Sequence, residues 1–81
     1  MKELLSRVKQ EPAKLRIGKK GVTEAIIEEV ENLLKRDSAV KIKCLKIIPN
    51  ESIEPIAKNI AKLTNSKLVE IRGKTFILLK I

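Results

Sequence analysis

Residues 18–21, with the sequence Gly-Lys-Lys-Gly, constrain the fold of this chain more than any other segment. They follow a short alternating stretch that ends at Ile17 and precede a long run with helical periodicity. Glycines at both ends allow a sharp turn and a close approach to a partner, because neither residue carries a Cβ atom. The segment therefore predicts a strand, a tight loop and a helix in direct succession.

The start of the predicted helix makes this Gly-Lys-Lys-Gly loop (residues 18–21) a candidate anion site. A helix begins with backbone N–H groups that lack intrahelical partners and with a partial positive charge. Lys19 and Lys20 add two full charges at the tip of the loop. Glu24 suits the helix dipole but would repel a phosphate unless its side chain turns outward. Our working hypothesis is that the anion is an RNA phosphate.

The length and composition predict one domain over residues 1–81 with an aliphatic core. Phe76 is the only aromatic residue, so no aromatic platform is available for stacking bases. A single cysteine, Cys44, excludes an intramolecular disulfide, and its apolar neighbours predict a buried thiol rather than a nucleophile. Because the chain has no histidine, we expect no metal site, and no motif indicates a cofactor.

The net charge of +8 is unevenly distributed along the chain. Residues 1–21 carry seven basic and two acidic side chains, whereas residues 22–37 carry two basic and five acidic ones. Alternating blocks of sign predict a molecule with one basic side and a polyanionic partner. The chain starts without an apolar signal core and has no run of membrane-spanning length, so we expect a cytoplasmic monomer that does not bind membranes.

The spacing of apolar residues predicts three helices and four strands. Helices are predicted over residues 2–10, 22–36 and 52–65, and strands over residues 13–17, 39–45, 67–72 and 75–81. Ser52 is the predicted cap of the third helix, since Pro55 then falls in its first turn. In the closing hairpin, Gly73 predicts a type II′ turn.

This order predicts an α+β fold, a two-layer sandwich with an N-terminal helix followed by β-α-β-α-β-β and a four-stranded mixed sheet. Pairing across the hairpin would place Ile71 opposite Phe76 and Val69 opposite Leu78, all on one face. Both long helices would cover that face. The other face would carry several charged side chains around two aliphatic ones, Ile77 and Leu79, which need cover. The N-terminal helix is one candidate for this cover, and the sequence does not decide how that helix docks. The charged residues predicted there are Lys14, Arg16, Lys41, Lys43, Glu70 and Arg72.

Three blocks of sequence together resemble a known family. They are Gly-Lys-Lys-Gly-Val-Thr-Glu at residues 18–24, Val-Lys-Ile-Lys at residues 40–43 and Ile-Arg-Gly-Lys-Thr-Phe-Ile-Leu at residues 71–78. In this order and spacing they resemble the CRM domain, the chloroplast RNA splicing and ribosome maturation domain of YhbY-like proteins. The resemblance implies a fold like the C-terminal domain of translation initiation factor 3. It also implies RNA binding and association with precursors of the large ribosomal subunit.

The resemblance assigns RNA contact to the Gly-Lys-Lys-Gly loop, that is, to Gly18, Lys19, Lys20 and Gly21. Charge and position add further candidate RNA-binding residues, which are Arg16, Lys41, Lys43, Arg72 and Lys74. A KH domain is disfavoured, because its Gly-x-x-Gly loop lies between two helices and this one follows a strand. The chain departs from the family pattern in a short first helix and in ending at Ile81, without a basic tail.

Two other classes of function are weighed against a non-catalytic RNA-binding protein. A small basic DNA-binding protein of the chromatin type is the alternative, since small basic α/β domains also bind DNA. An enzyme would need the carboxylates of Glu24, Glu28 and Glu31, which lie on a predicted solvated helix face without histidine or metal-ligand partners. We therefore predict that the chain is not an enzyme.

Overall fold

The computed structural model describes residues 2–81, and it has the predicted order of elements. The helices are α1 (Lys2–Gln10), α2 (Glu24–Asp37) and α3 (Ile53–Leu63), and a 3-10 turn over Asn50–Ser52 leads into α3. The strands are β1 (Leu15–Ile17), β2 (Ala39–Cys44), β3 (Ser66–Arg72) and β4 (Thr75–Lys80). This order confirms the α+β class and the arrangement of an N-terminal helix followed by β-α-β-α-β-β.

The four strands form one mixed sheet in the order β1-β2-β4-β3. β1 is parallel to β2, and β4 is antiparallel to both of its neighbours. Helix α2 connects the parallel pair β1 and β2, and α3 carries the chain from β2 to β3 at the far edge. The closing hairpin then returns β4 to the gap between them.

Helices α2 and α3 pack on the same face of the sheet and enclose the main core. The core is aliphatic around a single ring, that of the fully buried Phe76. Helix α2 contributes Val30, and α3 contributes Ile60, both with no exposed surface. The alternation of β2 sends Ile42 and Cys44 into this core. Burial of these side chains is the main source of stability expected for the fold.

The second face of the sheet is partly covered by α1, whose docking the sequence alone does not decide. Val8 packs there against Ala39, Ile77 and Leu79, with Leu4 and other half-buried side chains at the margin. Ile77 and Leu79 are thereby 1% and 7% exposed. The amphipathic pattern of the first helix thus supplies the cover that two aliphatic residues on an otherwise charged face require.

Polar contacts also attach α1 to the sheet. The Nζ atom of Lys41 donates hydrogen bonds to the backbone carbonyls of Lys9, at 2.8 Å, and Glu11, at 3.0 Å. Carbonyls at a helix C-terminus lack intrahelical partners, so a lysine at this position satisfies them and complements the helix dipole. Lys9 also forms a 3.0 Å ion pair with Glu70 of β3.

Two predicted helix starts are wrong in detail. Helix α2 begins at Glu24 rather than residue 22, because Thr23 has an extended backbone and its Oγ1 accepts a hydrogen bond from the Ile26 N–H at 3.2 Å. Ser52 does precede α3, but its side chain makes no capping hydrogen bond. Its backbone is already helical, because the 3-10 turn runs directly into α3.

The β3–β4 hairpin confirms one predicted cross-strand residue pair and contradicts another. Ile71 lies opposite Phe76, as predicted, and Gly73 has a φ of 60° in the turn. The predicted pair of Val69 with Leu78 is wrong, since a bulge between Leu68 and Glu70 shifts the register and places Leu68 opposite Leu78. Val69 therefore packs in the α1 cluster rather than in the main core.

Candidate nucleic-acid interface

The Gly-Lys-Lys-Gly loop is a tight turn, and its two glycines meet different structural requirements. The N–H of Gly21 donates to the carbonyl of Gly18 at 2.9 Å, which closes the turn. Gly21 has a φ of 68°, a left-handed conformation that most residues avoid. A Cβ atom on Gly18 would lie 3.1 Å from the Cδ1 atom of Leu45, so a larger residue here requires the Leu45 side chain to shift by a few tenths of an ångström.

The two lysines of this loop project into solvent. Lys19 and Lys20 are exposed, and neither forms an ion pair with an acidic side chain of residues 3–81. Glu24, which could have neutralised them, is exposed at the start of α2 without such a pair. Their charges are thus available to an external anion.

Three loops meet at one end of the sheet, which we call the loop end (residues 18–21, 45–48 and 73–74). The Leu45 N–H donates to the carbonyl of Ile17 at 2.9 Å, which holds the second loop beside the first. The Cys44 N–H donates to the carbonyl of Lys74 at 2.7 Å, and the Nζ of Lys74 donates to the carbonyl of Ile48. Backbone hydrogen bonds therefore hold all three loops together.

A row of polar side chains crosses all four strands beside the loop end. Arg16 pairs in register with Lys43, Lys43 with Thr75, and Thr75 with Arg72. Residues in one cross-strand row point to the same face. Here that face is opposite the main core, because Ile17 and Phe76, the neighbours of Arg16 and Thr75 in sequence, point into the core.

We call Arg16, Lys43, Thr75 and Arg72 the basic row. Its three cationic members are exposed, and none forms an ion pair within residues 3–81. Since neighbouring strands are about 4.8 Å apart, the row spans roughly 14 Å of the sheet. The whole row lies beside the loop end, so the cations of the basic row and of the loop end form one surface.

The structure separates the predicted site residues into two groups. The first group lies at the loop end or in the basic row, with exposed side chains on its five cations and half-buried glycines between them, and it consists of Arg16, Gly18, Lys19, Lys20, Gly21, Lys43 and Arg72. The second group consists of Lys41 and Lys74, which are half-buried and donate hydrogen bonds to backbone carbonyls of the chain. Their charge still contributes to the local potential, but their Nζ atoms have intramolecular partners.

Sequence reasoning did not include two residues of this surface. Lys46 is exposed in the second loop of the loop end, and Thr75 brings a hydroxyl group into the basic row. Lys46 lies two residues after the end of β2, so its place beside the first loop could have been inferred from the parallel pairing of β1 with β2. The place of Thr75 depends on the insertion of β4 between β2 and β3, for which the sequence has no local signal.

Cys44 is a buried residue of the main core. Cys44 has no exposed surface, and burial raises the pKa of its thiol although the nearby Lys74 charge opposes this. Among the described residues, no cluster of histidine, cysteine, aspartate and glutamate could hold a metal ion. Within the same part of the chain, no helix has both the length and the apolar character needed to cross a membrane.

Comparison with known proteins agrees with this architecture. The fold is similar to the solution structure of the hypothetical protein SAV1595 from Staphylococcus aureus, which is described as a candidate RNA-binding protein. The TM-score is 0.78 at 21% sequence identity, and the match covers 99% of this chain and 82% of that one. No curated protein matches the sequence. The family model of the CRS1 / YhbY (CRM) domain matches residues 1–80, and the chain belongs to this family.

Proposed function

We propose that this protein binds RNA through its loop end and basic row and catalyses no reaction on it. One observation carries the proposal: the cations of these two features share one surface and have no acidic partners within residues 3–81. Membership of the CRM family supports RNA as the ligand, as does the similarity to a candidate RNA-binding protein.

In this proposal the Gly-Lys-Lys-Gly loop grips the RNA backbone. The glycines let the main chain approach a phosphate closely, and Lys19 and Lys20 supply charge on either side of it. The basic row then extends the path across the sheet with two guanidinium groups and one ammonium group. Arginine suits such a path, because its planar guanidinium group can donate two hydrogen bonds to one phosphate.

This surface has no aromatic residue, which limits the contacts that it could make with RNA bases. Phe76 is fully buried, so bases cannot stack on it as they do on other single-strand binders. Recognition would therefore depend on the RNA backbone and its shape more than on base identity. Such recognition suits a large structured RNA, and we propose precursor RNA of the large ribosomal subunit, bound in the cytoplasm during assembly.

A non-catalytic role accords with the placement of the acidic side chains. Glu24, Glu28 and Glu31 are exposed on α2, on the helical layer rather than on the face that carries the basic row.

The experiment is to crosslink RNA to the protein in cells and to sequence the RNA that is retained. We expect precursors of the large-subunit RNA to dominate for the unmodified chain. The Lys19→Ala/Lys20→Ala variant should lose most of this signal at equal expression. Retention of transfer RNA or genomic DNA by the unmodified chain would contradict the ribosomal part of the proposal, and unchanged retention by the variant would contradict the role of the loop.

A further inference from the structure

The helical layer carries an apolar groove between α2 and α3, on the opposite side of the sheet from the basic row. The groove has a volume of about 560 Å³. Half-buried Val22 and Ile27 line it from the α2 side, and Leu63 lines it from α3 with 54% of its surface exposed. An exposed leucine beside two partly exposed aliphatic residues is a larger apolar surface than single scattered side chains provide.

The groove has an acidic rim. Glu24, Glu28 and Glu31 line it, and no lysine or arginine does. None of the three forms an ion pair within residues 3–81, and the Glu31–Lys35 pair that the helical spacing allows is not formed. In a chain with a net charge of +8, three uncompensated carboxylates around an apolar groove are a local reversal of sign.

We propose that this groove binds a basic amphipathic helix of a partner polypeptide. The apolar floor would take the apolar face of that helix, and the carboxylates would pair with lysine or arginine on its flanks. The rim runs over about 10 Å of α2, from residue 24 to residue 31, which matches two turns of a docked helix with apolar residues at i, i+3, i+4 and i+7.

The same charges argue against other occupants. Phosphate groups of RNA or of an anionic membrane would be repelled by three carboxylates. An acidic peptide would be repelled as well. Because the groove and the basic row lie on opposite sides of the sheet, a basic helix could occupy the groove while RNA occupies the basic row. The proposal does not depend on RNA binding.

The probe is a displayed library of 20-residue helical peptides, selected on the full chain and counted by sequencing. We expect enrichment of peptides with an apolar stripe flanked by lysine or arginine. The test variant is Glu28→Lys/Leu63→Ser, which changes one exposed rim residue and one exposed floor residue. Its matched control is Glu29→Lys/Ile81→Ser, because Glu29 lies on α2 outside the groove and Ile81 is exposed outside both the groove and the loop end.

Selected peptides should bind the unmodified chain and the control variant equally, and the groove variant roughly tenfold more weakly, as for loss of an interface anchor. Amide shifts in the nuclear magnetic resonance spectrum should centre on residues 22–31 and 59–63. Absence of enrichment, enrichment without basic residues, or equal weakening by the control variant would overturn the proposal. Self-association that only the groove variant abolishes would also overturn it, in favour of a second copy of this chain.

Discussion

Two of the lysines predicted to contact RNA, Lys41 and Lys74, donate hydrogen bonds to backbone carbonyls of their own chain. Lys43 and Lys19 differ from them in having exposed side chains. All four look alike in the sequence, since each is a lysine in or beside a predicted strand or loop. The difference arises because α1 ends over Lys41 and the second loop passes over Lys74, and these are tertiary contacts.

Replacing Lys41 with methionine should therefore lower the stability of the fold. Methionine keeps the apolar stem but leaves the carbonyls of Lys9 and Glu11 without their donor. We expect the free energy of unfolding to fall by about 1–2 kcal/mol. Lys43→Met is the matched control on the same strand and should change it by less than about 0.5 kcal/mol. Urea denaturation checks both values, and equal losses in the two variants would contradict the assigned role of Lys41.

Cys44 should be unreactive in the folded protein. It has no exposed surface, and burial raises the pKa of its thiol, so the thiolate that attacks alkylating reagents is scarce. The folded state holds the proton of the Cys44 thiol more tightly than the unfolded state does. The stability that the protonated thiol contributes is therefore present at neutral pH, and the free energy of unfolding falls as pH rises above about 8.5.

Iodoacetamide labelling followed by mass spectrometry measures this protection. Labelling at neutral pH should be slow without denaturant and should accelerate in step with unfolding. Labelling of the native protein at the rate of an unfolded peptide would show that the strand containing Cys44 opens readily.

Among the elements, α1 is attached least extensively to the rest of the fold. Its apolar contacts are confined to the second cluster, where Val8 is its one buried side chain among those described. The main core between the sheet and the other two helices does not include α1. This separation predicts that α1 can detach without global unfolding.

Val8→Asp should release α1 and leave the main core folded. A carboxylate cannot be buried against Ile77 and Leu79 without a large desolvation cost. Hydrogen exchange should show loss of protection in α1 and retained protection in β2 and β4. A cooperative loss of protection throughout the chain would show instead that α1 is required for the fold.

The elements also show what could be predicted from the sequence. Alternation in β2 correctly placed Ile42 inside and Lys43 outside, and periodicity located the helices to within two residues at each end. The bulge near Val69 was not predictable, because an inserted residue leaves the composition of β3 ordinary. The capping role of Thr23 could have been recognised, since threonine directly precedes Glu24 and the apolar stripe.

For the molecule as a whole, the blocks of charge in the sequence predicted a basic surface, but they did not predict which residues form it. The basic row exists only because β4 lies between β2 and β3, which aligns Arg16, Lys43 and Arg72 across the sheet. Strand order is a non-local property, so no segment of the sequence encodes this row by itself. The acidic block of α2 likewise indicates a binding groove only in the folded structure, where Leu63 of α3 lies beside it.

The salt dependence of RNA binding tests the central claim most directly, which is that the cations of the loop end bind phosphates. A fluorescent single-stranded RNA would be titrated with the unmodified chain, with Lys19→Ala/Lys20→Ala, and with Lys35→Ala/Lys67→Ala. The last variant removes equal charge from two exposed lysines away from the loop end, Lys35 in the last turn of α2 and Lys67 near the start of β3.

Each lost phosphate contact lowers the slope of log affinity against log salt by about 0.7 for a single strand, so the loop variant should lose about 1.4. The control variant should keep the slope of the unmodified chain. Equal slopes for all three folded proteins, or an equal reduction in both variants, would contradict a specific role for the loop.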